Sequence, residues 1–208
     1  MSAGRKRAFD KEQALDKAMR VFWENGYAGT SLAQLTSELG INKPSLYAAF
    51  GNKEQLFSTA MERYMDQYSG PNFRLLTDSS DTPLTERLKA FLFGVIDTVS
   101  DADSPKGCMF VRSSCESGGA AIPTKTTSSI QDKGLEIEMA LTRLLEAEQL
   151  RGQLPEDIQV KDLAGYLLSV MYGLGVLARG GKTKKEMQAV ANMAVLTLPG
   201  TLPDATPA

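Results

Sequence analysis

Lys43, Ser45 and Tyr47 stand within five residues of one another in the stretch INKPSLYAAF (41–50). An ammonium, a hydroxyl and a phenol on one short segment can hold phosphate oxygens and reach the polar edges of bases. Pro44 fits the first turn of a helix, where its missing N–H is not needed. A helix opening at Lys43 would aim the positive end of its dipole at an anion, and the lysine adds a full charge there. Ala48 and Ala49 are small enough for close approach, and an alanine methyl can contact a thymine methyl. Thr30, Ser31 and Lys53 flank the stretch with two hydroxyls and an ammonium for neighbouring phosphates. Arg5, Lys6 and Arg7 precede it as a basic arm suited to a duplex backbone or a minor groove. The chemistry these groups share is contact with double-stranded DNA.

Histidine is absent from all 208 residues. That removes Ser-His-Asp and Cys-His nucleophiles, histidine metal sites and the commonest general base. No metal-ligand spacing and no glycine-rich phosphate loop takes their place, and Gly118-Gly119 reads as a turn. The chain is therefore expected to be no enzyme and to need no cofactor or metal. One nucleophile stays in view. Cys108, within Pro105-Lys106-Gly107-Cys108-Met109-Phe110, would sit at a helix start beside Lys106, and both features lower a thiol pKa. A cysteine among Met109, Phe110 and Val111 can equally be a small buried hydrophobe. Cys115 lies seven residues on, about 10 Å along a helix, so an internal disulfide is out of reach. Two cysteines are too few for a disulfide framework, which fits a reducing compartment.

Positioning these groups takes helices. Asp10 with Gln13 caps a first helix carrying Leu15, Ala18, Met19 and Phe22, stopped at Gly26. Ser31 with Gln34 caps a second, with Leu32, Leu35 and Leu39 inward and Gly40 at its end. Ile41-Asn42 turns the chain into a third, held by Leu46 and Phe50 and broken at Gly51. Asn52 caps a fourth bearing Phe57, Ala60, Met61, Tyr64 and Tyr68. Two short helices joined through a glycine turn form a helix-turn-helix, whose second helix enters the major groove. SGPNFRLLTDSSDTP (69–83) is rich in turn residues and marks a boundary. Beyond it lie a long amphipathic helix from Leu84 to Val99, one from Pro105 towards Gly118, one over 123–150, and apolar segments at 160–179 and 183–198. The predicted class is all-α, with about nine helices and no repeats.

The composition, 42% hydrophobic and 23% charged, is that of a soluble globular protein. No run of 18 apolar residues occurs and MSAGRKRAFDKEQ lacks the apolar core of a signal peptide, so the expected location is the cytoplasm, with no membrane partner. Residues 1–65 hold nine Lys/Arg against seven Asp/Glu, and the remainder fourteen against eighteen. The basic excess falls on the DNA-reading side, though it is small.

The wording of FWENGYAGTSLAQLTSELGINKPSLYAAFGNKEQLF is more specific than its pattern. Phe22 to Gly26-Tyr27, Thr30-Ser31, Leu39-Gly40-Ile41, Ser45-Leu46-Tyr47, Phe50 and Lys53-Glu54-Gln55-Leu56 resemble the DNA-binding segment of the TetR (tetracycline-repressor-like) family of bacterial regulators, over about residues 8–68. The resemblance implies a homodimeric repressor with a ligand-sensing C-terminal domain. It assigns DNA contact to Thr30, Lys43, Ser45, Tyr47 and Lys53. Many members carry aromatic or histidine residues where this chain has Ala48-Ala49, so the operator sequence does not transfer. Gly107-Cys108-Met109-Phe110 resembles a Gly-Cys-apolar-apolar motif of one subgroup, some of whose members sense electrophiles or oxidants. The expected division is a DNA-binding domain over 1–52, a connecting helix over 53–68, a sensing and dimerisation domain over 69–198, and a disordered tail over 199–208.

Phe91, Val95, Met109, Phe110, Leu144, Tyr166, Met171 and Tyr172 are the candidates to line an apolar pocket for an unknown small-molecule effector, with Arg112 or Glu116 as polar anchors. LAGYLLSVMYGLGVLA (163–178) is apolar around most of its circumference, with Gly165, Ser169 and Gly173 every fourth residue. With MQAVANMAVLTL (187–198) it predicts a four-helix interface between two copies. A two-fold dimer would set its recognition helices about 34 Å apart on a palindrome. Two other readings stand beside the effector-released repressor. One is an architectural or activating helix-turn-helix protein, and the other a thiol-based sensor acting through Cys108.

Overall fold

The computed structural model describes residues 9–77 and 81–198. Within them the chain forms α1 (Lys11–Gly29), α2 (Leu32–Leu39), α3 (Lys43–Phe50), α4 (Lys53–Tyr64), a π-helical turn (Met65–Ser69), α5 (Gly70–Thr77), α6 (Leu84–Ser100), α7 (Met109–Glu116), α8 (Thr124–Leu150), α9 (Val160–Arg179) and α10 (Lys184–Leu196). The run α4–π–α5 is one unbroken helix. Counted once, it brings the helices of the described residues to nine, without a strand, as the sequence predicts. The basic arm at 5–7 and the tail at 199–208 lie outside the described residues.

The short helices hold because their ends are satisfied. The Asp10 carboxylate accepts from the amides of Glu12 and Gln13, Ser31 from Gln34, Asn42 from Ser45, and Asn52 from Gln55. Each pairing removes an orphan donor of a first turn. Helices of 8, 8 and 12 residues for α2, α3 and α4 are too short to persist unaided, so these caps and a shared core do the holding. Gly26 kinks α1 rather than ending it: at φ 73 and ψ 178 it departs from the helix, which then resumes to Gly29.

The expected boundary at 69 is displaced. A proline removes an N–H and crowds the carbonyl four residues back, which works against a helix running through Pro71. Instead the Gly70 N–H closes a wide turn onto the Met65 carbonyl, and that extra residue per turn accommodates the proline. The connecting helix continues to Thr77, well past 68.

Two apolar clusters divide the molecule, and neither respects a boundary at 52. One gathers α1–α4 with Met109, Phe110, Ile122 and Ile130 from the far side of the chain. The other joins α6, α9 and α10 with Leu76, Leu141 and Leu145. Arg87 and Glu148, each 3% exposed, pair at 2.6 Å inside this second cluster. Arg87 also donates to the carbonyls of Thr82 and Leu76. α9 is long and apolar enough to span a membrane by composition, with a mean hydropathy of 1.3. Its Leu163, Ala164, Leu167, Leu168, Leu174 and Ala178 are instead buried against neighbouring helices.

Candidate functional site

α3 is fixed from below and bare above. Leu46 and Phe50 are buried, while Lys43, Pro44, Tyr47 and Ala48 share the open face, Tyr47 at 46% exposure. Positions 43, 44, 47 and 48 recur at helical spacing, so one surface carries an ammonium, a phenol and two small groups. Ser45 is half-buried beside them, its amide donating to the Asn42 cap at 2.9 Å. α2 braces this helix through Leu35 and Leu39, and Gly40, at φ 67, makes the left-handed exit that the turn between them needs.

The head is stitched to the rest of the chain along α1. The Trp23 indole N–H donates to the Gly107 carbonyl at 2.9 Å, buried. Arg112 donates to the Asn25 carbonyl at 2.7 Å and pairs with Glu116 at 3.2 Å, while Glu116 accepts from the Ala28 amide at 3.3 Å. Arg179 reaches the Glu24 carbonyl at 3.0 Å. A side chain at Gly26 would push the Glu116 carboxylate and the Arg112 guanidinium out of their contacts, while the positive φ is what favours glycine there.

On the other side of that seam lies a cavity of about 430 Å³, within the range of small-molecule sites, roughly 300–1,000 Å³. The π turn and its flanks contribute Tyr64, Met65, Asp66, Tyr68, Asn72 and Phe73; α6 adds Phe91, Val95, Thr98 and Val99; Cys108, Phe110, Ile137, Met171 and Tyr172 close it. The Tyr64 hydroxyl donates to Cys108 Sγ at 3.3 Å. Tyr64 also meets Trp23 edge to face at 4.8 Å between centroids, so a single ring touches both the cavity and the head's seam. Burial pushes the Cys108 thiol up, against the smaller opposing effect of the Tyr64 hydrogen bond. Burial likewise raises Tyr64 and Tyr172.

An open polar face on α3 and a walled cavity beside the helix that follows it stand together in one chain. The pattern described as bacterial regulatory proteins, tetR family, matches residues 14–60, and the tetracyclin repressor-like C-terminal domain matches residues 85–194. The HTH-type transcriptional repressor ComR of Escherichia coli K12 is 31% identical over 194 residues, covering 91% of this chain and 89% of that protein. The chain belongs to the tetR family of bacterial regulatory proteins. It is also similar to the E. coli repressor BdcR, 31% identical over 92% of this chain and 90% of that one. A cysteine-substituted form of the TetR family regulator CifR, complexed with 26-base-pair double-strand operator DNA, superposes with a TM-score of 0.78 at 32% identity, over 94% of this chain and 100% of that one.

Within this TetR-family chain the sequence-predicted residues divide. Lys43, Pro44, Ser45, Tyr47 and Ala48 come together on or beside the open face of α3. Ser31 is exposed at the start of α2, its oxygen occupied by the Gln34 amide. Thr30 is not on that surface: it is 2% exposed and its hydroxyl donates to the Gly26 carbonyl at 2.6 Å, bracing the kink. Lys53 lies with its ammonium 4.1 Å from the Tyr27 ring centroid instead of extended to solvent, and burial lowers its pKa while Glu116 opposes the shift. Of the pocket candidates, Phe91, Val95, Phe110, Met171 and Tyr172 line the cavity, as does Cys108.

Four of the other candidates, and Glu116 with them, do not. Met109 turns into the head's core; Leu144 packs on the second cluster; Tyr166 is exposed, its hydroxyl 2.9 Å from that of Thr197; Arg112 is spent on Glu116 and Asn25. The expected polar anchors thus tie the head down rather than line the pocket. Lys106 gives Cys108 no charge, because its ammonium donates to the carbonyls of Ser100 and Asp101 at the end of α6. Sequence reasoning missed Asp66, Tyr68, Asn72, Phe73, Lys133 and Glu136. The 64, 68, 72 and 73 spacing is helical and would have exposed the cavity wall had the helix been carried through Pro71.

Proposed function

We propose that the chain is a transcriptional repressor that binds a palindromic operator as a homodimer and leaves it when a small apolar molecule enters the cavity. The observation that carries this reading is the unbroken helix from Lys53 to Thr77. Its first turns hold Leu56 and Phe57 against the head's core, and its Tyr64–Phe73 stretch forms a cavity wall. A ligand that prefers one position of that wall shifts the head with it, and differential affinity is all a switch requires. A ~100-fold difference in operator affinity between the two positions corresponds to about 2.7 kcal/mol.

The dimer reading rests on the outward side of α9 and α10. Tyr166 and Val176 on α9 are exposed, as are Val190, Met193 and Leu196 on α10, Met193 at 61%. A Cβ at Gly165 or Gly173 would meet nothing within 4 Å, so the small residues face away from this chain's own core and leave room for another helix. Two such helices from each copy make a four-helix contact.

Selection of genomic fragments by the purified protein, at two salt concentrations, tests the proposal. A palindromic site lost steeply with salt and released by a cavity ligand supports it. Uniform weak binding without a motif favours the architectural reading, and a motif bound without repression favours an activator. The thiol-sensor reading, and with it the Gly-Cys-apolar-apolar subgroup, is favoured by one observation: Cys108 lines the cavity. Its raised pKa makes it a slow nucleophile unless a ligand is first held beside it.

A further inference from the structure

The charges of the cavity wall are unbalanced, and the imbalance has a sign. Its lining carries three charged residues, Asp66, Lys133 and Glu136. Lys133 is already paired with Glu136 one turn away. The Asp66 carboxylate has no hydrogen-bond or ion-pair partner among the described residues. Asp66 and Glu136 are also the lining residues that reach solvent, whereas the rest are buried or half-buried. Carboxylates therefore stand where a ligand would enter.

Inside that mouth are six aromatic rings, on Tyr64, Tyr68, Phe73, Phe91, Phe110 and Tyr172. Ring faces carry negative quadrupole and attract a cation held within about 6 Å of them. No arginine lines the cavity, the protein has no histidine, and Arg112 is committed elsewhere. Beyond the lining, the charge that acts on the Tyr172 hydroxyl is the Glu138 carboxylate, which adds to the effect of burial. An anionic ligand would have to break Lys133 from Glu136 and sit among carboxylates. A neutral one would leave Asp66 unused.

Resting on the effector-cavity reading above, but replacing its wholly apolar effector with a charged one, we infer that the cavity's ligand class is a lipophilic monocation, an aromatic or aliphatic body carrying a quaternary or protonated amine. The body fills the ring-lined interior and the charge lies between the ring faces and Asp66. Lys133–Glu136 stays paired at the rim and repels ligands with an acidic head only weakly, since its charge is already neutralised. Selectivity then comes from Asp66 and the rings.

The test is a charge series of constant shape added to the full-length protein: (1-naphthylmethyl)trimethylammonium, its neutral neopentyl isostere and naphthylmethanesulfonate, with neutral N-phenyl-1-naphthylamine as a probe of the cavity itself. Titration calorimetry should give the cation at least tenfold tighter binding than the neutral isostere, about 1.4 kcal/mol, and weaker binding still for the sulfonate. Asp66→Asn should reduce the cation's advantage several-fold while the neutral isostere binds as before. Tyr68→Leu, which removes a ring and no charge, should also reduce it. Equal affinity across the series, or preference for the sulfonate, overturns the charge inference while binding of the neutral probe leaves the effector cavity standing. If the neutral probe too fails to bind, the cavity reading falls and the ligand class with it.

Discussion

The indole N–H of Trp23 is bonded to the carbonyl of Gly107 at 2.9 Å, across 84 residues of sequence and the whole of the seam between head and cavity. Both partners are buried, and the indole also meets Tyr64 and Tyr68 edge to face, at 4.8 and 4.9 Å. The chain's single tryptophan thus reports on the seam alone. Trp23→Phe keeps a ring but leaves a buried carbonyl unpaired, which should destabilise the fold by about 1–3 kcal/mol. Urea unfolding followed by circular dichroism measures it. In the native chain, a cavity ligand should change the tryptophan emission through Tyr64 and Tyr68, and an emission indifferent to a bound ligand would show the seam to be insulated.

Recognition and support on α3 should separate cleanly. Tyr47→Ala and Lys43→Ala remove exposed groups, so operator affinity should fall, with the melting temperature unchanged. Lys43→Ala should also flatten the salt dependence by about one phosphate contact. Leu46→Ala empties a fully buried site and should cost about 2–5 kcal/mol. Gel-shift titration beside thermal melting distinguishes the two classes, and normal affinity in both surface variants would move the reading surface elsewhere.

Thr30 and Lys53 make a sharper case, because family resemblance and geometry point in different directions. Thr30→Val keeps the shape but removes the hydroxyl that braces Gly26. Its cost should appear first as lost stability, about 1 kcal/mol, rather than as a changed salt slope.

Arg87 and Glu148 show what a buried charge demands. Arg87→Met strands a carboxylate whose remaining partner is Arg151, at 3.0 Å on the other oxygen. Loss of about 3–5 kcal/mol is expected, and Arg87→Met with Glu148→Leu should recover most of it. A double-mutant cycle in guanidinium gives the coupling directly.

The two thiols should differ in the opposite sense to the one their positions suggest. Cys108 begins a helix yet burial raises its pKa, so the thiolate fraction at neutral pH falls and grows only as pH climbs past the ordinary thiol range. Cys115 is exposed. Iodoacetamide at pH 7 should label Cys115 first, with Cys108 catching up as pH rises, read by mass spectrometry of digests over time. Cys108 labelled first at pH 7 would show an activation that the resting geometry lacks.

The head was legible in the sequence because its signals are local. Asp10, Ser31 and Asn52 announce helix starts, and Leu35, Leu39, Leu46 and Phe50 declare the inward faces. What escaped was set by distant partners. Nothing near Arg112 says that its guanidinium is claimed by Asn25, and nothing near Cys108 says that Lys106 points to the end of α6. Pro71 was misleading for the opposite reason, since a local rule was overridden by a π turn five residues long.

That turn has a consequence for how the molecule is phased. An α-helix advances 100° per residue, so the one extra residue in the π turn rotates everything after it against everything before. Leu56 and Phe57 face the head's core, and Asn72 and Phe73 face the cavity, only with that offset in place. The rod from Lys53 to Thr77 is thereby keyed like a screw with a single skipped thread. Deleting one residue between Met65 and Ser69 would restore a regular helix with both faces still in register, whereas straightening the turn with every residue kept would swing Asn72 and Phe73 about 100° off the cavity.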